Sequence, residues 1–252
     1  MDQPYPQLAE ALTRNLRLAQ APVAVCFPDS VPTTVPAHKG RVPAGCSFWR
    51  QAATAPVSTA SGDHSCCAVG VYTHNLELSV AVQGELQESL AVFGSLGYVT
   101  QQDLQLIPVL NKRPKHVVYA PLAQPPLPPE VILLFCDASQ ALIISEAVQQ
   151  VEFRHPPALG RPACAVIPQV ANSGFAALSL GCCGARAYMD AFTADVVLCA
   201  LPGANLAAYV ERIVALASAN SVLSQFHKRR CQDVAAGATP RVKESLAAMT
   251  PQ

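Results

Sequence analysis

EVILLFCDASQALIISEAVQQ, residues Glu130–Gln150, is the stretch that decides the fold. Its first part, VILLFC (Val131–Cys136), is a short unbroken apolar run between two acidic residues, the pattern of a strand covered on both faces. Asp137 follows at once, with Gln140 three residues on, close to a capping box, so a helix is predicted to start where the strand ends. A strand running straight into a helix implies an α/β layer.

The pattern recurs downstream. VVLCAL (Val196–Leu201) reads as a strand, and Pro202-Gly203 then opens a long helix predicted from about Ala204 to His227. Ala163–Pro168 (ACAVIP) is strand-like as well. Upstream, Leu8, Ala11, Leu12, Leu16 and Ala19 recur at helical spacing, and Val23–Phe27 is a short buried strand. Cys46–Ala53 is weakly helical, Ser61–Gly70 (SGDHSCCAVG) is a turn-rich loop, and Leu76–Val82 alternates like a strand. Glu85–Gly94 is helical, and His116–Tyr119 is a short β-rich run. The tail from Cys231 is polar, with one patterned stretch near Val242–Met249. The expected architecture is an α/β protein with a mixed sheet and flanking helices, its cysteine-bearing loops converging at strand ends, where open α/β sheets gather ligands. Residues 1–252 are expected to form a single domain. Should there be two lobes, the proline-rich PLAQPPLPP (Pro121–Pro129) is the seam.

Composition narrows the function. The 252 residues are 51% hydrophobic and 13% charged, which excludes wholesale disorder. Seventeen Lys and Arg balance seventeen Asp and Glu, leaving no electrostatic footprint for nucleic acid or an anionic membrane. The N-terminus lacks the positive start and apolar core of a signal peptide, and the short apolar runs fall far below the roughly 20 residues of a spanning helix. A soluble cytoplasmic protein is expected. Sequence signatures of dinucleotide, P-loop, serine-hydrolase and HExxH zinc chemistry are missing.

The cysteines carry the strongest chemical signal. There are ten, and without an export signal they read as thiols or metal ligands rather than disulfides. Cys26, Cys136 and Cys199 sit in apolar strand-like runs and are expected to pack as small hydrophobes. Cys46, Cys66/Cys67, Cys164 and Cys182/Cys183 lie by contrast in or beside segments rich in Gly, Pro, Ser or His, positions suited to ligands. Soft thiolates select zinc, copper(I) and iron–sulfur clusters. No CxxC or zinc-ribbon spacing occurs, and His38, His74, His116, His155 and His227 share no ligand spacing. In Gly181-Cys182-Cys183-Gly184-Ala185-Arg186, Gly181 and Gly184 permit a tight backbone that could hold an anion or cofactor, with Arg186 as an anion anchor. His64 could serve as a ligand, a proton donor or a hydrogen-bonded loop residue.

Several motifs together resemble the family catalogued as domain of unknown function 169, also labelled ArCR. They are APVAV (Ala21–Val25), Cys46 with Arg50-Gln51-Ala52, DHSCCAVG (Asp63–Gly70), YAPL (Tyr119–Leu122), Ser139-Gln140-Ala141, ACAVIP and SLGCCGARAY (Ser179–Tyr188). Matching residue by residue, the resemblance singles out Cys46, Cys67, Cys164 and Cys182; Cys66 and Cys183 depart from its usual single cysteines. It implies no reaction. The leading expectation is one [4Fe–4S] cluster on these four residues, serving electron transfer, or, with three ligands, acting on a small substrate at an open iron with His64 and Arg186 as proton donor and anion anchor. A zinc or small-ligand binding protein is the alternative, as is a thiol enzyme with Cys182 or Cys67 as nucleophile. Expected partners are a small molecule or a redox protein, with neither nucleic acid nor membrane. Self-association stays open.

Overall fold

The computed structural model describes residues 5–64, 67–190 and 192–238. Seven strands form one mixed sheet in the order β2-β3-β1-β4-β7-β6-β5. They are β1 (Val23–Cys26), β2 (Val57–Thr59), β3 (Val117–Pro121), β4 (Val131–Cys136), β5 (Ala158–Leu159), β6 (Ala177–Ser179) and β7 (Val197–Pro202). All neighbours run antiparallel except β5 and β6, which are parallel. PLAQPPLPP links β3 to β4, and both of these strands pair with β1.

Central β4 is buried along its whole length, and its side chains divide between two layers. Val131, Leu133 and Phe135 enter one core, and Ile132, Leu134 and Cys136 the other. The second core is closed by α1 (Tyr5–Leu16), α6 (Ala138–Glu152) and α9 (Leu206–Ala235). The first lies under α2 (Ser47–Ala52), α3 (Ala68–Thr73) and α7 (Val166–Ser173). Two further helices, α4 (Val80–Ser95) and α5 (Gln101–Gln105), follow α3, and α8 (Cys183–Tyr188) follows β6.

The strand-to-helix join is built as its residues demand. Asp137 Oδ1 accepts from the Gln140 N–H at 2.8 Å, and Gln140 Oε1 accepts from the Asp137 N–H at 2.8 Å, completing the capping box. The Gln140 amide also donates to the carbonyls of Leu16 and Arg17, which fastens the end of α1 to the start of α6. At the other end of α6 the buried Glu152 carboxylate accepts from the Ala176 N–H and the Tyr209 hydroxyl, both at 2.7 Å, tying α6 to β6 and α9.

Two expected strands are helices. Ala163–Pro168 forms a 3-10 turn (Ala163–Ala165) that leads into α7. A short apolar run fits either period when every side is buried, and Pro168 sits in the first turn, where its missing N–H costs nothing. Leu76–Val82 is not a strand because the Ser79 hydroxyl accepts from the Val82 N–H and starts α4. The loop expected at Ser61–Gly70 holds a 3-10 turn at Ser61–His64 and the start of α3. The stretch near Val242–Met249 lies outside the described residues.

By length and composition Gly203–Ala235 is the one helical stretch among the described residues that could cross a membrane. Leu206, Tyr209, Val210 and Ile213 of its first turns are buried in the second core, where it packs on α1 and α6, whereas most of its remaining length is not buried, Phe226 excepted. Replacing Asp137 with Ala is expected to cost about 0.5–2 kcal/mol in urea unfolding at neutral pH. Hydrogen bonds from Ser139 and Gln140 hold the Asp137 carboxyl below its usual range, so this contribution is present above about pH 4 and lost as the carboxylate is protonated in acid. The two proteins should therefore converge in stability as the pH falls below that range.

Candidate functional site

Four segments well apart in the chain deliver a cysteine each to one cavity of about 970 Å³. Cys46 directly precedes α2, Cys67 directly precedes α3, Cys164 lies in the 3-10 turn before α7, and Cys182 directly precedes α8. The first two flank β2, at one edge of the sheet, and the last two flank β6, near the other edge. They meet over the α2–α3–α7 face, where Cys46 and Cys164 are buried within the core and Cys67 and Cys182 pack half-buried against it. Gly181 and Gly184 line the same cavity. Cys66 lies outside the described residues.

Hydrogen-bond donors surround the sulfurs. Cys182 Sγ accepts from the Ala185 N–H at 3.4 Å, and Cys164 Sγ accepts from the Thr73 hydroxyl at 3.3 Å. The N–H groups of Gly70, Val69 and Gly45 face Cys67, and those of Cys46 and Ser47 face Cys46. Such donors favour a charged sulfur, and desolvation opposes it. Burial wins in the free thiols: it pushes Cys46 up to about 12, aided by Cys67 and Cys182, and it raises Cys67 and Cys164 as well. The sulfurs are thus close enough to feel one another's charge. Among the described residues, however, no group of three or more His, Cys, Asp or Glu is placed to hold a metal ion. The nine described cysteines are all free thiols, and Cys26, Cys136 and Cys199 are buried in strands as small apolar side chains.

Gly181 sets the approach of Cys182. Its φ is +85°, and a Cβ there would lie 2.1 Å from the Phe192 ring, so only glycine fits. Arg186 reaches the cavity lining, but its guanidinium donates to the carbonyls of Leu180, Thr193 and Val196 and lies 4.8 Å over Phe192. It clamps the loop that carries Cys182. Cys183, the fifth cysteine of the lining, is exposed and accepts from the Tyr98 hydroxyl at 3.2 Å.

His64 lies behind the cavity rather than in its lining, and is fully buried. The Thr59 hydroxyl donates to the Val117 carbonyl, so at 2.8 Å from His64 Nε2 it accepts, which places the imidazole proton on Nε2. His64 Nδ1 has no partner and sits where a Cβ on Gly45 would be, at 2.6 Å. His74 lines the cavity, donates from Nδ1 to the Gly70 carbonyl at 2.9 Å, and packs beside His64 with ring centroids at 5.8 Å. Thr73, Tyr98 and Arg161 carry no spacing that ties them to the cysteines, and His74 shares no ligand spacing with the other histidines, so the sequence signals none of them as part of the site.

Fold and site together define an α/β protein with a multi-cysteine cavity over one face of its sheet. The chain belongs to the family of uncharacterised ArCR proteins, domain of unknown function 169, which it matches over residues 11–212. No curated protein and no solved structure was found to match it.

Burial holds His64 down to about 3, helped by the neighbouring His74 and His38, and His74 down to about 4. Both are neutral in the folded protein near pH 7, whereas the unfolded chain takes up their protons below the usual pKa of about 6.5. Stability contributed by the neutral pair is present above that value and lost as the pH falls toward their folded values. The urea midpoint should accordingly drop between about pH 6.5 and pH 4, by on the order of a few kcal/mol of stability, and a His74→Gln variant should show a shallower decline.

Proposed function

We propose that this chain is an iron–sulfur protein that holds one [4Fe–4S] cluster on Cys46, Cys67, Cys164 and Cys182. The observation that carries this reading is the convergence of four cysteines from four separate segments on one cavity, with N–H or O–H donors at each sulfur. Donors of this kind compensate thiolate charge and tune the potential of a bound cluster.

When bound, such a cluster supplies one-electron redox chemistry. The protein's own residues do the rest. Thr73 and the backbone amides hold the sulfurs in place, Arg186 and Gly181 fix the Cys182 loop, the neutral His74 forms part of the cavity wall, and the neutral His64 fills the space behind it. Burial that raises Cys46, Cys67 and Cys164 works against a free-thiol nucleophile, because the protonated thiol is unreactive. The same burial makes loading release protons, so cluster assembly should become faster and tighter as the pH is raised from about 6 toward 9. Free thiols throughout the described residues suit a reducing compartment, and we read the protein as cytoplasmic, exchanging electrons with a small molecule or a redox protein.

The test is anaerobic purification or reconstitution, followed by iron and sulfide analysis of single Cys→Ser variants. About four iron and four sulfide per chain are expected, with a broad absorption band near about 400 nm. Substitution at 46, 67, 164 or 182 should reduce the iron content, whereas Cys183→Ser and Cys231→Ser should retain it. Colourless protein that takes up no iron, or equal loss in the Cys183 variant, would overturn the reading.

A further inference from the structure

The cavity has a second wall that the cysteines do not explain. Leu86, Leu90 and Phe93 recur along α4 at the spacing of one helical face, and all three line the cavity half-buried. Leu104 of α5, with Leu106 and Ile107 after it, extends the same apolar surface. Val82 is the one buried residue of α4, which packs chiefly on α3; Leu86 touches the edge of the first core, and all three residues of the stripe border the cavity. A volume of about 970 Å³ lies at the upper end of the roughly 300–1,000 Å³ of sites for small organic ligands.

Charge in this lining is confined to a few side chains. The Asp103 carboxylate is taken up by the Thr100 N–H at 2.7 Å and the Thr100 hydroxyl at 2.9 Å. Arg186 is occupied by three carbonyls, as described above. His74 is held neutral by burial. Arg161 differs: its guanidinium lies 3.9 Å over the Tyr98 ring and bonds its side chain, which orients it, and although it is near enough to help hold the Asp103 carboxyl low, among the described residues it forms no salt bridge. An arginine stacked on an aromatic face keeps the edge of its fork free for a carboxylate.

We infer that the space between the four cysteines and the α4–α5 wall binds an organic carboxylate with an apolar body, the carboxylate on Arg161 and the body along Leu86, Leu90 and Phe93. This deepens the reading above by naming the class of small molecule that sits beside the redox centre. It rests on that reading for the ligand's role and on the cavity alone for its binding.

The experiment titrates fluorescent dansylaminoundecanoate, and separately its uncharged methyl ester, into the full-length protein as purified, with iron measured on the same sample. Saturable binding of the acid is expected, displaced by decanoate. Arg161→Gln, an exposed position, should weaken the acid by about tenfold or more, the loss of a charge-assisted hydrogen bond, and leave the ester within about twofold. Leu90→Gln should weaken both. Acid binding that ignores Arg161→Gln, or ester binding as tight as the acid, would overturn the inference, as would failure of either probe to bind. The two proposals fail separately. Iron-free protein that still shows the Arg161-dependent preference supports the cavity without the cluster, and iron-loaded protein without that preference overturns the cavity alone.

Discussion

Phe135, on the central strand, lies between Trp49 of α2 and Phe192, with ring centroids 6.2 and 6.0 Å away, and this aromatic row is the constraint on which the cysteine cavity depends. Trp49 is three residues from Cys46, and Phe192 presses on Gly181, the residue before Cys182. The row therefore joins cysteine-bearing segments from opposite sides of the sheet through one buried core. Aromatic contacts at these separations add about 0.5–1.5 kcal/mol each beyond the area they bury. Local sequence neighbours could not do this, since the four cysteines are separated by long stretches of chain. The sheet face supplies the common surface.

Gathering polar sulfur in such a place has an energetic consequence. Desolvation favours neutral thiols, while the amides and the Thr73 hydroxyl favour thiolates. At Cys46, Cys67 and Cys164 desolvation prevails over these donors. Burial likewise keeps neutral His74, in the cavity wall, and His64, behind it, with the unpartnered His64 Nδ1 wedged against Gly45. The site combines a dry, donor-rich cysteine wall with a softer apolar wall from α4 and α5.

Much of the scaffold was legible in the sequence because several signals agreed. Val131–Cys136, the Asp137 and Gln140 cap and the following helix are consistent in burial, capping and period, and the mixed α/β sheet follows from them. Ala163–Pro168 misled because a short apolar run has no period of its own, and Leu76–Val82 because its alternation is cut by the Ser79 cap that starts α4. Cys46, Cys67, Cys164 and Cys182 were recognisable from their turn-rich settings and from the family resemblance. What sequence could not convey is the opposite wall: Tyr98 and Arg161 belong to different segments, and their contact exists only once the chain has folded. His64 sits in a segment that reads as a loop, so nothing announced its complete burial, and the carbonyls that occupy Arg186 are equally a product of tertiary structure.

The most direct measurement of the central claim is diffraction from anaerobically grown crystals at the iron absorption edge. The account predicts one compact group of anomalous peaks in the cavity, within bonding distance of Cys46, Cys67, Cys164 and Cys182. Anomalous density bound elsewhere, or a cavity without iron in crystals of protein that had been loaded and assayed for it, would contradict it.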